Sequence, residues 1–352
     1  MKQETSTLES VRNYYGRVLK TNRDLKTGVC CTGESPAPRM RAIVRDIHPD
    51  VIAQSYGCGS PIPPGLAGKT VLDLGSGAGR DCFMLARLVG PAGRVIGVDM
   101  TPEQLEVASR HIDYHMSKFG FTKPNVEFRD GYIEDLQSLG IADDSIDVVV
   151  SNCVINLSPD KERVFAEIFR VLKPGGELYF SDVFADRRIP PPLAQDPVLL
   201  GECLGGALYM EDFRRLLARV GCPDYRVVSG SKLALTDPAL EQKAGMIGFH
   251  SLTVRAFKLE LEDRCEDYGQ LACYLGTLPD DPHRFVLDDH HVFETGRPVP
   301  VCGNTAAMLG RTRYAPHFKI IGDTSVHYGL FDCEPKSTVV PGDGAAPGGS
   351  CC

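Results

Sequence analysis

VLDLGSGAGRD, residues Val71–Asp81, decides the fold of this chain. Val71, Leu72 and Leu74 form a short apolar run that predicts a buried strand. Gly75-Ser76-Gly77-Ala78-Gly79 then turns the chain where backbone can approach a ligand closely. From Arg80 to Leu88 the apolar residues Phe83, Leu85, Ala86 and Leu88 predict a helix packed back on the strand, its free N–H groups facing the same turn. A second strand is expected over Arg94–Val98, ending at Asp99. A carboxylate about 20 residues beyond such a turn is placed to accept hydrogen bonds from ribose hydroxyls. The stretch therefore predicts a nucleoside site on a parallel α/β sheet.

A dinucleotide fingerprint would put its third small residue at Arg80, which is too large for the close helix–strand packing that residue serves. The spacing is instead G-x-G-x-G, preceded by Asp73. With Asp99 and the later Leu172–Gly176 (LKPGG), this pattern resembles the S-adenosylmethionine-dependent methyltransferases.

With 352 residues the chain can form two domains, or one with a large appendage. Acidic residues outnumber basic ones, 46 to 38, and the net charge of −8 argues against a nucleic-acid partner. No apolar run approaches the ~20 residues that span a bilayer, and MKQETSTLES lacks the apolar core of a signal peptide. A cytoplasmic monomer without a membrane partner is expected. Thirteen cysteines are anomalous for such a chain. An odd count without a secretion signal points away from a disulfide scaffold and toward soft-element or redox chemistry, with some thiols serving as small buried hydrophobes.

Residues 5–20 predict an amphipathic helix, with Ser6 and Glu9 as a capping box. The vicinal pair Cys30-Cys31 follows in a polar segment. A helix is expected over Arg39–Ile47, then a loop, Ser55–Gly59, in which glycines flank Cys58. Thr101, Pro102 and Gln104 predict a helix start, running to about Lys118. Val126–Arg129 is the third expected strand. Ile146–Ser151 reads as a fully buried parallel strand that delivers Asn152 and Cys153 to the sheet's functional edge. A helix from Pro159 to Leu172 and a strand over Glu177–Val183 follow, separated by Pro174-Gly175-Gly176. Beyond Ala185 come a proline-rich excursion, the segment Leu199–Ala207 carrying Cys203, a helix over Met210–Val220 and alternating strands over 225–260. The residues after Glu334 are rich in Gly, Pro and Ser and end in Cys351-Cys352.

Cys58, Cys153 and Cys203 share a setting, each beside small or polar residues at a turn or strand end. Their segments YGCGSPIP, SNCVINL and GECLGGALY, with VLDLGSGAGRD, GYIEDL and LKPGGELYFSD, resemble those of the arsenite S-adenosylmethionine methyltransferases. The resemblance runs from about Thr21 to about Tyr209. It implies a doubly wound, Rossmann-like class I methyltransferase sheet with an inserted arsenic-binding element and a smaller C-terminal domain. It implies stepwise methylation of arsenite for detoxification, with arsenite and methylated trivalent arsenicals as substrates and thiols (glutathione or the thioredoxin system) as reductants. Cys58, Cys153 and Cys203 would hold trivalent arsenic, and Cys30 or its neighbour Cys31 would exchange disulfides with Cys58.

For the cofactor S-adenosylmethionine, the resemblance implies that Asp73, Gly75, Ser76 and Gly77 frame the methionine moiety and ribose. Asp99 would bind the ribose hydroxyls, Met100 would pack on the adenine, and Ile133 and Glu134 would flank it. Asn152 lies beside Cys153 as a further cofactor-binding residue, and Tyr56 would close the site near the sulfonium. The chemistry is consistent: trivalent arsenic is thiophilic and soft thiolates select soft centres. Zinc is the competing ligand for three thiols, but structural zinc sites use C-x₂₋₄-C spacing, which these cysteines lack. A small-molecule C- or O-methyltransferase, such as one acting on quinone precursors, would not need cysteines at three loop edges. An arsenic or metal sensor with a vestigial cofactor site would not need the intact turn and Asp99. The expected division is 1–184 for the N-terminal helices and cofactor domain, 185–260 for the arsenic-binding domain, 261–334 for the C-terminal domain and 335–352 for a disordered tail. Cys82, Cys222, Cys265, Cys273, Cys302 and Cys333 are expected to be buried packing residues.

Overall fold

The structure is a computed structural model that describes residues 8–9, 11–18, 38–57, 61–201, 203–235 and 237–333. Cys30, Cys31, Cys58 and the tail from 334 onward lie outside the described residues. The strands β1 (Thr70–Leu74), β2 (Arg94–Asp99), β3 (Val126–Asp130), β4 (Ile146–Asn152) and β5 (Leu172–Ala185) are mutually parallel in the order β3-β2-β1-β4-β5. The sheet continues through β8 (Phe249–Phe257), antiparallel to β5, and β7 (Tyr225–Lys232), antiparallel to β8, while the short β6 (Leu208–Tyr209) pairs parallel with β5.

Apolar residues alternate between the two faces of β1. Val71, with Val95, Val148 and Val150, packs against the helices Pro38–Arg45, Arg80–Val89 and Ile112–Phe119 through Ile43, Phe83, Leu85 and Phe119. Leu72 and Leu74, with Ile96, Val98 and Val149, pack against Lys161–Val171 and Met210–Arg219 through Phe165, Ile168, Phe213 and Leu216. Because both faces are covered, the central strands are apolar on both, interrupted by polar residues such as Asp73 and Ser151 near the carboxyl ends of β1 and β4. The glycine turn depends on positive φ at Gly75, Gly77 and Gly79. A Cβ on Gly75 would also stand 2.3 Å from the Val154 side chain.

Several boundaries differ from the sequence expectations. The helix expected over 101–118 is two, Pro102–Arg110 and Ile112–Phe119, joined at His111 with φ −101° and ψ 9°. The His111 ring stacks on His48 at 3.8 Å, so a tertiary contact sets the break. Thr101 makes no side-chain cap to this helix, and the Gln104 side chain donates to the Tyr15 carbonyl instead of closing a capping box. Within the expected helix 5–20, Tyr14–Val18 is a π-helical turn. The helix expected from Pro159 starts at Lys161, where the Asp160 carboxylate accepts from the Arg163 N–H. β5 begins at Leu172, not Glu177: its register with β4 shifts between Leu172 and Glu177, so Pro174-Gly175-Gly176 forms an irregularity inside the strand. Between β7 and β8 lies an unforeseen helix, Pro238–Ala244, capped by Asp237.

The C-terminal part has a three-stranded sheet in the order Pro298–Val301, Gln270–Tyr274, Phe318–Ile321, backed by the helix Gly303–Gly310. A buried charge network joins it to the main sheet. Glu177 of β5 accepts from Arg255 Nε at 2.7 Å and pairs with Arg313, while Arg255 Nη1 donates to the Leu287 carbonyl. Removing one partner of such a network strands a buried charge. Among the described residues no helix is long and apolar enough to cross a membrane.

Candidate active site

The carboxyl ends of β1, β2 and β4 open on one cleft, of about 980 Å³ counting the space open to solvent. That volume suits a small cofactor. Tyr56, Asp73, Gly75, Ser76, Gly77, Asp99, Met100, Ile133, Glu134, Asn152 and Cys153 all line it. The described residues thus bring together every residue the sequence proposed for the cofactor. They add some that it missed: Leu8, Val11 and Tyr15 from the N-terminal helix, and Arg80, Asp81, Thr101 and Gln104. Gln104 could have been noticed, because a polar residue on a helix starting just past Asp99 faces the same edge. The N-terminal residues carry no local signal, since only tertiary packing brings them here.

The floor of the cleft is acidic. Asp73 is buried, and its pKa is pushed up to about 8 by burial and then by Asp81, against a hydrogen bond from the Cys82 thiol at 3.2 Å. Asp99 is also raised, chiefly by burial, while the N–H groups of Gly77 (2.9 Å) and Thr101 (2.8 Å) hold its carboxylate. Asp81 pairs with Arg80 at 2.8 Å and accepts from Asn152 Nδ2 at 3.0 Å. Three carboxyl groups converge there, and Arg80 is the one lysine or arginine among the described lining residues, so the cleft suits a positively charged ligand. Ser76 Oγ and Gln104 Oε1 are buried there with no hydrogen-bond partner among the described residues, so polar groups of a ligand have partners waiting.

The raised Asp73 has a consequence for stability. Its ordinary value is 3.8, so between about pH 4 and pH 8 the unfolded chain releases a proton that the folded, ligand-free chain keeps. The ligand-free protein should therefore melt at a lower temperature at pH 8 than at pH 5. In Asp73→Asn that fall should shrink, and an unchanged slope would remove Asp73 as its source.

Beside the cleft sit the two described cysteines of the proposed trio. Cys153 has φ +55° and Cys203 has φ +61°; among non-glycine described residues only Asp144 shares that conformation. Left-handed backbone is unfavourable for a residue with a Cβ and persists where surroundings impose it, commonly at functional sites. Cys153 is held by its N–H, which donates to the Ser181 carbonyl at 2.8 Å. The Cys203 thiol donates to the Cys153 carbonyl at 3.1 Å, and both residues are buried. Cys153 is disulfide-bonded, and its partner is none of the described free cysteines.

The seat of Cys203 is explicit. A Cβ on Gly206 would lie 1.9 Å from the Asn156 carbonyl oxygen, so Gly206 is where the Cys203 loop presses on the turn after Cys153. Asn156 is fixed in turn by Asp182, which accepts from its Nδ2 at 2.7 Å and its N–H at 3.1 Å. Burial pushes Asp182 up to about 7. Lys161 donates to the carbonyls of Asn156 and Ser158, at 3.2 and 2.9 Å, and its charge acts favourably on Asp182 and Cys203. The sequence marked Cys153 and Cys203 but not the Asn156–Asp182–Gly206–Lys161 frame that brings them together.

The comparisons with known proteins fit this geometry. A family model described as a methyltransferase domain matches residues 66–221. The chain is 58% identical to an arsenite methyltransferase of Aquipseudomonas alcaligenes, over 92% of this chain and 93% of that protein. It is 44% identical to the human arsenite methyltransferase, over 89% of this chain and 83% of the relative. A crystal structure of an arsenic (III) S-adenosylmethionine methyltransferase from Chlamydomonas reinhardtii matches with a TM-score of 0.82 and 52% identity, covering 85% of this chain and all of that one.

Proposed function

The chain belongs to the arsenite methyltransferase family, and on that premise we propose how its own residues carry methyl transfer from S-adenosylmethionine to trivalent arsenic. The observation that carries the reading is the pair of left-handed cysteines, joined thiol to carbonyl at the rim of an acidic nucleoside-sized cleft. Arsenite, and then its methylated trivalent products, would be held by Cys153 and Cys203 with Cys58 as the third thiolate. Thiolate ligation makes the arsenic electron-rich and leaves its lone pair free on the side away from the sulfurs. Positioning supplies much of the rest of the rate.

S-adenosylmethionine supplies an electrophilic methyl group on a sulfonium. Asp73, Asp81 and Asp99 offset its positive charges, Gly75 and Gly77 allow close approach of backbone, and Ser76 and Gln104 offer their unused polar atoms. Asp99 takes the ribose, Met100, Ile133 and Glu134 enclose the base, and Asn152 and Tyr56 face the sulfonium end. Lys161 favours the thiolate of Cys203. Because Cys153 lies in a disulfide, external thiols must reduce it before arsenic can bind, so the enzyme is thiol-dependent. Cys30 or Cys31 would serve in that exchange with Cys58. We assign residues 1–184 to cofactor binding, 185–260 to presenting Cys203, 261–334 to a C-terminal domain and 335–352 to a tail, in a monomer.

The test is incubation with methyl-labelled S-adenosylmethionine, arsenite and thiol, followed by chromatography of the arsenicals. Labelled methylarsenic should form, and should not form without thiol. Labelling of the protein alone would reject the reading. In the same assay Asp99→Ala should weaken S-adenosylmethionine binding about tenfold to a hundredfold, from the loss of ~1.5–3 kcal/mol of charge-assisted hydrogen bonds. Arsenite binding should stay close to wild type, and equal loss of both ligands on titration would show that Asp99 holds the fold rather than the ribose.

A further inference from the structure

We propose that Tyr15, on the N-terminal helix, is a cofactor residue whose ring lies against the sulfonium of S-adenosylmethionine and favours its positive charge. Leu8, Val11 and Tyr15 recur at helical spacing and all three line the cleft, so one face of this helix forms a wall of it. Three contacts fix that wall. The Gln104 side chain donates to the Tyr15 carbonyl at 3.3 Å. A Cβ on Gly16 would lie 3.0 Å from Glu103 Oε2 and 3.1 Å from Thr101 Cγ2, so the helix rests directly on the segment that follows Asp99. The Tyr15 and Tyr56 rings meet edge to face, with centroids 5.6 Å apart and planes at 71°. The backbone that carries Tyr15 is the π-helical turn Tyr14–Val18, a rare form found frequently at functional sites.

A second set of neighbours puts the ring at the sulfonium rather than along the rest of the cofactor. Val11, Cys153, Leu157 and Cys203 share one buried apolar cluster, and Tyr15 packs against it. Tyr15 therefore borders the cofactor cleft on one side and the cluster of the thiol pair on the other. The group of the cofactor that must reach that pair is the methyl on the sulfonium, because arsenic receives it there. Among the described residues that belong to both surroundings, Val11, Tyr15, Met100, Cys153 and Leu157, only Tyr15 carries an aromatic ring.

The face of a tyrosine ring is the negative side of its quadrupole and attracts a cation within about 6 Å of the ring centre. A neutral thioether in the same place gains dispersion only. Tyr56 sets a second ring at a steep angle to the first, while Tyr132, the remaining ring of the cleft, is exposed. The carboxyl groups of Asp73, Asp81 and Asp99 attract the cofactor as a whole, its ammonium group included. An aromatic face is what tells the sulfonium from the thioether left after transfer. The ring thus holds the methyl donor and loosens its grip once the methyl has gone. The inference rests on the function proposed above for the direction in which the methyl leaves.

The test is calorimetric titration of the full, reduced chain with S-adenosylmethionine and, separately, with S-adenosylhomocysteine, which lacks the methyl and the charge. Tyr15→Leu should weaken S-adenosylmethionine about threefold to thirtyfold, the range of a cation–π contact, and leave S-adenosylhomocysteine near wild type. Tyr15→Phe keeps the aromatic face and should keep the wild-type ratio of the two dissociation constants. Tyr15→Met is read in the same way as Tyr15→Leu if the leucine variant fails to fold. Equal weakening of both ligands would show that Tyr15 only seats the helix, and no change in either would show that the ring stands clear of the cofactor. Both results overturn the proposal. If the native chain bound S-adenosylmethionine but did not methylate arsenic, the arsenic reading would fail while the ratio still decided the role of Tyr15.

Discussion

Cys153→Ser and Cys203→Ser should each methylate neither arsenite nor trivalent monomethylarsenic, with losses of roughly a hundredfold or more for removing a member of a unit that positions the reacting atom. Cys58→Ser should fail on arsenite and retain activity on monomethylarsenic. The reason is valence. Arsenite can exchange three oxygens for sulfur, so three thiolates can hold it. Once arsenic carries a methyl group only two positions remain, two thiolates suffice and the third leaves. Cys153 and Cys203 are the pair built to stay. They are buried, both are locked in left-handed backbone, and the thiol of one rests on the carbonyl of the other at 3.1 Å. Cys58 stands between two glycines, which suits a thiol that must leave and meet Cys30 or Cys31. Steady-state rates of the three variants on the two substrates decide the matter. Equal loss on both substrates in Cys58→Ser would refute the valence argument.

The parts of this site legible in sequence are those written as local pattern. The run Val71–Leu74, the alternating glycines and Asp99 predicted the two strands, the turn and the cleft at their ends, because strand, turn and helix each leave a periodic or compositional mark. Apolar Ile146–Ser151 marked β4 as buried on both faces, and so placed Cys153 at the edge. What sequence left unread was set at a distance. His111 breaks a helix because it stacks on His48. Gln104 turns toward Tyr15 rather than to its own helix start. Asp182 and Lys161, ordinary as isolated letters, matter only once burial has brought them beside Asn156 and Cys203. The helix Pro238–Ala244 is different: Asp237 before Pro238 is an N-cap followed by an N1 proline, and that signal was present in the chain.

Gly206→Ala should cut arsenic methylation by about a hundredfold, the scale expected when a reacting group is displaced by an ångström, and leave S-adenosylmethionine binding near wild type. The added methyl would need to occupy a point 1.9 Å from the Asn156 carbonyl oxygen, well inside contact distance. One of the two backbones must move. Asn156 is the stiffer, because its N–H and Nδ2 both bond Asp182 and Lys161 holds its carbonyl. The Cys203 loop is therefore the part that lifts. Cys203 lies three residues before Gly206, and its thiol reaches the Cys153 carbonyl only while the loop is seated. Lifting it separates the two thiols that must grip arsenic together. The cofactor cleft is lined by other segments, among them Asp73–Ala78 and Asp99–Thr101, and does not include Gly206. Calorimetric titration with S-adenosylmethionine and a methylation assay on the same preparation separate the two effects. A variant that methylates arsenic at the normal rate would show that the loop can shift without carrying Cys203 with it. One that also loses the cofactor would show that the damage spreads through the fold, and that Gly206 serves the sheet rather than the seat of the thiol.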